Sequence, residues 1–148
     1  MNSVIESKPI EILLVEDNEG DVRLLEEVLK ESKVFNKLNV VHDGLQALAY
    51  VRGEDSYAHT RRPDLILLDL NLPKIDGRQV LEEIKRSSYF RRIPVVILTT
   101  SRAEEDILKC YDLHANCYIV KPFDLESFIA IVKTLEDFWL SIVKLPAK

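Results

Sequence analysis

The sequence predicts an α/β fold, a doubly wound parallel sheet of five strands with helices on both faces. Short runs rich in Val, Ile and Leu alternate with helical patterns, and this alternation is typical of parallel sheets with right-handed crossovers. Most of the runs are apolar at successive positions, as strands covered on two sides should be. Polar residues directly follow several runs, and in such a sheet these ends share one edge, where ligands bind.

The predicted elements form five strand–helix units. The strands lie near residues 10–15, 38–42, 64–68, 94–99 and 117–120. Four helices are marked by apolar residues at helical spacing, which are Val22, Leu25, Val28 and Leu29, then Leu45, Leu48, Ala49 and Val51, then Val80, Leu81 and Ile84, then Ile107, Leu108 and Tyr111. Asn18 is the predicted N-cap of the first helix. A fifth helix is predicted after Asp124, and residues 53–63 are predicted to form a polar loop.

Length and composition indicate one globular domain. The chain has 148 residues, of which 47% are apolar and 30% are charged, as in ordinary soluble domains. We expect an N-terminal extension over residues 1–9, a domain over residues 10–143 that includes an extended C-terminal helix, and a tail over residues 144–148.

Several classes of protein are disfavoured by the composition. No apolar run approaches the roughly 20 residues that span a bilayer, and the first residues lack the features of a secretion signal. We therefore expect a cytoplasmic protein with no membrane partner, in which Cys110 and Cys117 are reduced, buried and apolar in character. The net charge of −5 disfavours a nucleic-acid partner.

Chemically capable side chains stand at the ends of four predicted strands. Glu16 and Asp17 follow the first strand and Asp69 follows the third. Thr99 comes at the end of the fourth strand, and Lys121 follows the fifth. Three carboxylates in one crevice would repel one another unless they held a hard cation, so Mg²⁺ is the predicted cofactor. The alternative is that each acid caps a helix or faces solvent.

Asp69 is the predicted nucleophile of this cluster. It stands at a strand end before a turn, and carboxylates in such positions can form acyl phosphates. We expect Mg²⁺ to be held by Asp17 and Asp69, with the backbone carbonyl of Asn71 as a neutral ligand and Glu16 bound through water. Gly77 is expected to permit a tight turn before the third helix.

Two further side chains would act on the phosphoryl group. The ammonium of Lys121 would neutralise one phosphoryl oxygen, and the hydroxyl of Thr99 would donate a hydrogen bond to another.

Four motifs at these separations resemble the response-regulator receiver family over residues 10 to 137. They are Val15-Glu16-Asp17, Leu68-Asp69-Leu70-Asn71-Leu72-Pro73 with Gly77, Leu98-Thr99, and Val120-Lys121-Pro122-Phe123. The resemblance implies a flavodoxin-like sheet of order 2-1-3-4-5 with five helices.

The resemblance also implies roles for single residues. Asp69 would accept a phosphoryl group from a partner histidine kinase. A Mg²⁺ or Mn²⁺ ion would be bound by Glu16, Asp17 and Asp69. Thr99 and Tyr118 would form the switch pair, and Lys121 would contact the phosphoryl group. Thr100 departs from the Ala or Gly that many receivers carry there, and its bulk is expected to restrict the inward movement of Tyr118.

A narrower resemblance is to the single-domain regulators of cyanobacterial-type phytochromes. It rests on residues 68–73, on the long loop before the third strand, and on Glu136-Asp137-Phe138-Trp139. It implies a phytochrome kinase as partner, an unidentified downstream protein, and output through altered protein contacts. The protein would then be a phosphoacceptor in a phosphorelay rather than an enzyme, catalysing only its own Mg²⁺-dependent phosphorylation and dephosphorylation.

Three other functions are less favoured. A phosphohydrolase would favour a second carboxylate two residues after Asp69, where Asn71 stands and cannot titrate. A flavin carrier would need a phosphate loop after the first strand, where Glu16 and Asp17 would repel phosphate. A degenerate receiver that never takes phosphate would be expected to lack some of the site residues.

The predicted fifth helix carries an apolar arc of roughly half its circumference, wider than the ~100° that covers a sheet. Ile131, Phe138 and Ile142 extend the arc sideways. Excess apolar surface usually marks a binding site, so we predict a symmetric homodimer or a partner contact through the fourth helix, fifth strand and fifth helix. The alternative is that the N-terminal segment or the fourth helix covers the arc.

Overall fold

Five parallel strands form the centre of the computed structural model, which describes residues 9–31 and 36–121 together with Glu126 and Ala130. The strands are β1 (Ile10–Val15), β2 (Asn36–Val41), β3 (Leu65–Leu68), β4 (Val95–Thr99) and β5 (Cys117–Val120). Their order in the sheet is β2-β1-β3-β4-β5, and every neighbouring pair is parallel. The predicted fold class and strand order are therefore confirmed.

In the described part of the chain, four helices connect the strands. They are α1 (Glu19–Lys30), α2 (Gly44–Arg52), α3 (Gly77–Arg86) and α4 (Glu104–Asp112), and a short 3₁₀ turn (Asp55–Tyr57) lies within the long loop before β3. The predicted fifth helix falls almost wholly outside the described residues, where only Glu126 and Ala130 are seen, both with helical backbone.

The alternating faces of the strands build two apolar layers. On one face, Ile12 and Leu14 of β1 pack with Val22 and Leu25 of α1. On the other face, residues of β1, β3 and β4 pack against α2, α3 and α4. Because both faces of the inner strands are covered, β3 and β4 are buried along their whole length.

The helices begin at short polar side chains. Asn18 caps α1 as predicted, with its side-chain oxygen accepting from the backbone N–H of Asp21 at 3.0 Å. Asp43 and Asp76 cap α2 and α3 in the same way. These caps satisfy backbone N–H groups that have no partner within the helix.

The apolar residues that mark α4 in the sequence are not the ones that it buries. Leu108 and Tyr111 are 59% and 47% exposed, and the residue that α4 buries is Cys110. Burial raises the pKa of the Cys110 thiol to about 11, which keeps it protonated, and Cys117 is half-buried. Leu45 of α2 is also exposed. Among the described residues, no helix is long and apolar enough to cross a membrane.

Candidate functional site

The carboxyl ends of four strands meet at one edge of the sheet. Glu16 and Asp17 follow β1, Asp69 follows β3, Thr99 ends β4 and Lys121 follows β5. The sheet order places β1 beside β3 and β4 beside β5. Residues that are far apart in the chain therefore come together, and the structure gathers the predicted site residues at this edge.

Three carboxylates form the acidic part of the site. Oxygen atoms of Glu16, Asp17 and Asp69 lie within 4.8 Å of one another. Glu16 and Asp69 are buried, whereas Asp17 is exposed. Carboxylate oxygens are the donors that Mg²⁺ prefers, usually one or two from the protein with water completing the shell. The donor set and its one exposed member fit a Mg²⁺ or Mn²⁺ ion.

The ammonium group of Lys121 supplies positive charge at the same place. Its Nζ forms an ion pair with Glu16 Oε1, and it lies 2.8 Å from Asp21 Oδ2 and 3.3 Å from Asp69 Oδ2. The side chain is only 5% exposed. The backbone N–H of Lys121 donates to the carbonyl of Thr99 at 2.7 Å, which ties the end of β5 to the end of β4.

Burial and the partner's charge shift the pKa values of Glu16 and Lys121 in opposite directions. Burial raises the pKa of the Glu16 carboxyl above its ordinary value, and the hydrogen bond from Lys121 opposes that shift. Burial lowers the pKa of Lys121, but its bonds to Asp21 and Glu16 and the charges of Glu16 and Asp69 outweigh burial, so the pKa is above its ordinary value. Lys121 is therefore a cation at neutral pH, able to balance negative charge on Asp69.

The backbone around Asp69 fixes the direction of its carboxylate. The N–H of Asp69 donates to the carbonyl of Val15 at 3.1 Å, and the N–H of Asn71 donates to Asp69 Oδ1 at 3.2 Å. Gly77 at the start of α3 lies against this segment, since a Cβ there would be 2.2 Å from the carbonyl oxygen of Asp69. Close packing, rather than the expected turn, requires glycine at this position. The positive φ before α3 belongs to Lys74.

The two predicted switch residues meet at Ser101. The hydroxyl of Tyr118 donates to the Ser101 carbonyl at 3.0 Å, and the side chain of Tyr118 is half-buried against the core. Thr99 is buried, and its Oγ1 lies 3.5 Å from the backbone nitrogen of Ser101, a long contact. Thr100 is exposed, and its Oγ1 lies 3.5 Å from the side-chain nitrogen Nδ2 of Asn71.

Sequence reasoning missed two parts of the site. Asp21 stands in the first turn of α1, where an acidic side chain is common because it stabilises the N-terminus of the helix. No pattern in the sequence therefore indicated that Asp21 forms an ion pair with Lys121. The contacts of Ser101 with α4 were also not expected. The predicted dimer residues Ile131, Phe138 and Ile142 lie outside the described residues.

The sequence is similar to those of known signalling proteins. Residues 12–133 match the family described as the response regulator receiver domain. The response regulator Rcp1 of Synechocystis sp. is 50% identical over 139 residues, which cover 94% of this chain and 95% of Rcp1. The probable methanogenesis regulatory protein FilR2 of Methanothrix harundinacea is 39% identical over 89% of this chain and 84% of its own length.

Solved structures agree with these matches. The phosphorylated cyanobacterial phytochrome response regulator RcpA is 54% identical, with a TM-score of 0.87 over 95% of this chain and 100% of that chain. The Mn²⁺-bound form of Rcp1 has a TM-score of 0.87 at 50% identity, over 94% of this chain and 100% of that chain. A response regulator in red-light signalling of R. palustris has a TM-score of 0.86 at 31% identity, over 95% of this chain and 100% of that chain.

Proposed function

The chain belongs to the response regulator receiver domain family, and on that premise we propose that Asp69 accepts a phosphoryl group from the phosphohistidine of a kinase. One oxygen of Asp69 attacks phosphorus, a new O–P bond forms, and the P–N bond to the kinase imidazole breaks. The observation that carries the proposal is the contact of the Asp69 carboxylate with Lys121, at 3.3 Å, inside a group of three carboxylates.

Each side chain of the site has a part in this transfer. We propose that Glu16, Asp17 and Asp69, with the Asn71 carbonyl, hold a Mg²⁺ or Mn²⁺ ion. The ion, when bound, offsets charge on the incoming phosphoryl group. Lys121 balances the charge of a phosphoryl oxygen because its ammonium already lies beside Asp69.

The kinase partner is proposed from the relatives. RcpA, at 54% identity, is described as a phytochrome response regulator. We therefore propose that the partner of this chain is a phytochrome histidine kinase in the cytoplasm, and that the protein passes its signal to a downstream protein rather than acting on a separate substrate.

The direct test is labelling by a small phosphodonor followed by intact mass. Incubation with phosphoramidate and Mg²⁺ should add one phosphoryl group to the wild type and none to Asp69→Asn, which keeps the shape of the side chain but removes its nucleophilic charge. Asp112→Asn, at an exposed position on α4, is the matched control and should label as the wild type does. Labelling of Asp69→Asn, or full labelling in excess chelator, would contradict the proposal.

Thr99 and Tyr118 are proposed as the switch. Phosphorylation would draw the Thr99 hydroxyl to a phosphoryl oxygen and away from the backbone nitrogen of Ser101. Tyr118 is hydrogen-bonded to the carbonyl of the same Ser101. Only a differential contact can shift two states, and Thr99 is the residue that would make it. Thr99→Ala should therefore accept phosphate but show a reduced change in partner affinity or oligomeric state on phosphorylation. An unchanged response in that variant would refute this role.

We also propose self-association, or a partner contact, through α4, β5 and the predicted fifth helix. The support in the described residues is the exposure of Leu108 and Tyr111 on α4. Molar mass from light scattering over a concentration series should fall toward the monomer in Leu108→Glu and Phe138→Asp. Tyr89→Asp is the control, because Tyr89 is 72% exposed and lies in the loop between α3 and β4, outside the three elements of the proposed contact. A monomeric wild type at tens of micromolar, with and without phosphate, would exclude the dimer.

A further inference from the structure

A single guanidinium joins α3 to α4 beside the candidate site. Arg78 Nε donates to Asp106 Oδ1 at 2.9 Å, and Arg78 Nη2 donates to Asp106 Oδ2 at 2.7 Å. The third nitrogen, Nη1, donates to both oxygens of Asp76, the N-cap of α3, at 3.0 and 3.1 Å. The Arg78 and Asp106 side chains are 25% and 18% exposed. Such paired, partly buried bonds have more fixed geometry than a surface ion pair.

Asp106 also accepts a hydrogen bond from the loop between β4 and α4. The hydroxyl of Ser101 donates to Asp106 Oδ2 at 2.6 Å, and Ser101 Oγ in turn accepts from the N–H of Ala103 at 3.3 Å. Ala103 stands at the N-cap position of α4 and has no side chain that could cap the helix. The conformation of this loop is therefore held by Ser101 and Asp106, and Asp106 is held by Arg78.

Ser101 is also where the proposed switch pair meets. Its carbonyl accepts from Tyr118, and its backbone nitrogen lies 3.5 Å from the Thr99 hydroxyl. A continuous set of polar contacts thus runs from Arg78 on α3 to both switch residues. If the Thr99 hydroxyl turned to a phosphoryl oxygen, it would give up its contact with Ser101, and the loop could leave Asp106.

The charges of the ion pair persist over the usual range of pH. The hydrogen bonds from Arg78 and Ser101 lower the pKa of Asp106 to about 2, and the bond to Asp106 raises the pKa of Arg78 further above its ordinary value. Both side chains of the ion pair are therefore charged at neutral pH.

We propose that Arg78 is a positioning residue for the switch, which acts through Asp106 and Ser101 to hold the β4–α4 loop in its unphosphorylated conformation. The proposal rests on the proposed function, because it concerns how readily the site responds to phosphate. Breaking the ion pair removes stability from the unphosphorylated conformation, so the population of the responsive one rises. By linkage, a phosphoryl group or its mimic then binds more tightly.

Two variants break the ion pair and one control leaves it intact. Arg78→Met keeps the length of the side chain without its charge, and Asp106→Asn keeps the shape of the acid. Arg52→Met is the matched control, because Arg52 also joins two helices, pairing with Glu83 of α3 at 3.1 Å, with side chains that are 46% and 35% exposed. Arg78→Lys keeps the charge but not the paired geometry, and should lie between the wild type and Arg78→Met.

The test measures the mobility of the loop and its affinity for a phosphoryl mimic in the full chain. In metal-free protein, hydrogen exchange over residues 100–106 should be about tenfold faster in Arg78→Met and Asp106→Asn than in the wild type. Beryllofluoride with Mg²⁺, titrated by calorimetry, should bind both variants about fivefold more tightly. The double variant should show no further gain, since the two residues act as one unit. Arg52→Met should match the wild type in both measurements.

The outcomes separate this inference from the proposed function. Weaker or unchanged beryllofluoride binding in Arg78→Met, or exchange that rises equally in Arg52→Met, would overturn the positioning role and leave a stabilising ion pair. Intact mass after phosphoramidate treatment is read on the same samples. If the wild type takes no phosphoryl group and binds no beryllofluoride, the proposed function fails, whatever the loop does.

Discussion

Two lysines at opposite ends of the sheet differ in what surrounds their ammonium groups. Lys121 lies at the carboxyl ends of the strands, with its ammonium group against the carboxylates of Glu16, Asp21 and Asp69. Lys85, in the last turn of α3, donates instead to the backbone carbonyls of Arg91 and Ile93, at 3.0 and 2.7 Å. Lys121 is buried and Lys85 is half-buried, and both ammonium groups have hydrogen-bond acceptors.

The pKa values of the two side chains move in opposite directions. Burial lowers the pKa of Lys85 to about 8, although two carbonyl oxygens accept from it. The pKa of Lys121 rises, because the acceptors there carry full negative charges that outweigh burial. The difference teaches that carbonyl dipoles satisfy the hydrogen bonds of a partly buried ammonium group without offsetting the effect of burial on its pKa, whereas full negative charges do offset it. The charged cluster at the Lys121 end suits phosphoryl chemistry, and the ammonium group held by uncharged backbone carbonyls at the Lys85 end suits a structural role.

Removal of the Lys121 charge is expected to have the largest effect. Lys121→Met leaves Glu16 and Asp69 buried without their cation, and breaking a buried pair in this way costs about 3–5 kcal/mol. The free energy of unfolding, measured by urea denaturation in chelator, should fall by about that amount relative to the wild type.

Mg²⁺ provides the internal control for this prediction. Added Mg²⁺ should stabilise Lys121→Met more than it stabilises the wild type, because the variant has lost the competing cation. Lys85→Met should show the same Mg²⁺ effect as the wild type. Equal stabilisation of all three proteins, or a cost for Lys121→Met below ~1 kcal/mol, would mean that the carboxylates do not depend on the ammonium.

Backbone packing at the site end gives the next largest effect. A Cβ at position 77 would lie 2.2 Å from the Asp69 carbonyl oxygen and 2.6 Å from the Leu70 Cα, and neither atom can turn away as a flexible side chain could. Gly77→Ala should therefore lower the free energy of unfolding by about 1–3 kcal/mol and slow labelling by phosphoramidate, since Asp69 must shift.

Gly20→Ala is the matched control for that substitution. Its Cβ would meet only the side-chain oxygen of Asn18, at 3.2 Å, and alanine is favoured in a helix by about 1 kcal/mol over glycine. Gly20→Ala should be at least as stable as the wild type and should label normally. If Gly77→Ala also labels at the wild-type rate, then the position of Asp69 is not set by this contact.

The sequence predicts the sheet better than it predicts the contacts around the site. The apolar strands and the polar residues at their ends follow from period and position alone, so Asp69 and Lys121 could be expected at one edge. Asp21 could not be, because its contact with Lys121 depends on how α1 sits beside the end of β5. The role of Gly77 was mistaken for a turn, since a close backbone approach has the same sequence signature as a positive φ.

The apolar patterns of the helices also fail to predict which residues are covered in the fold. Leu108 and Tyr111 have the spacing of a covered stripe, but α4 leaves both exposed. Periodicity identifies an apolar face without saying whether the chain itself or a partner covers it. Arg78 and Asp106 could not be paired from the sequence for a related reason, because they stand 28 positions apart on different helices.

The smallest expected effect concerns Lys85 and the dependence of stability on pH. The pKa of its ammonium is about 8 in the folded protein, below the value near 10.4 of an unperturbed lysine. Between these values the unfolded chain binds a proton that the folded protein has released. The contribution of Lys85 to the free energy of unfolding therefore rises with pH in that window, and this contribution is lost as the pH falls through 8. The neutral amine still donates to both carbonyls, so raising the pH breaks no contact.

The comparison of wild type with Lys85→Met isolates this group, because other residues also titrate at high pH. The free energy of unfolding of the wild type, minus that of Lys85→Met, should increase from pH 7.5 to pH 10. The slope should stay below about 1.4 kcal/mol per pH unit, because partial exposure screens the effect. Lys109→Met, which removes an exposed lysine of α4, should show no such increase. If Lys85→Met and Lys109→Met follow the same pH dependence, the ammonium of Lys85 stays hydrated and its pKa is not lowered by burial. The two lysines would then differ only in the negative charges around Lys121.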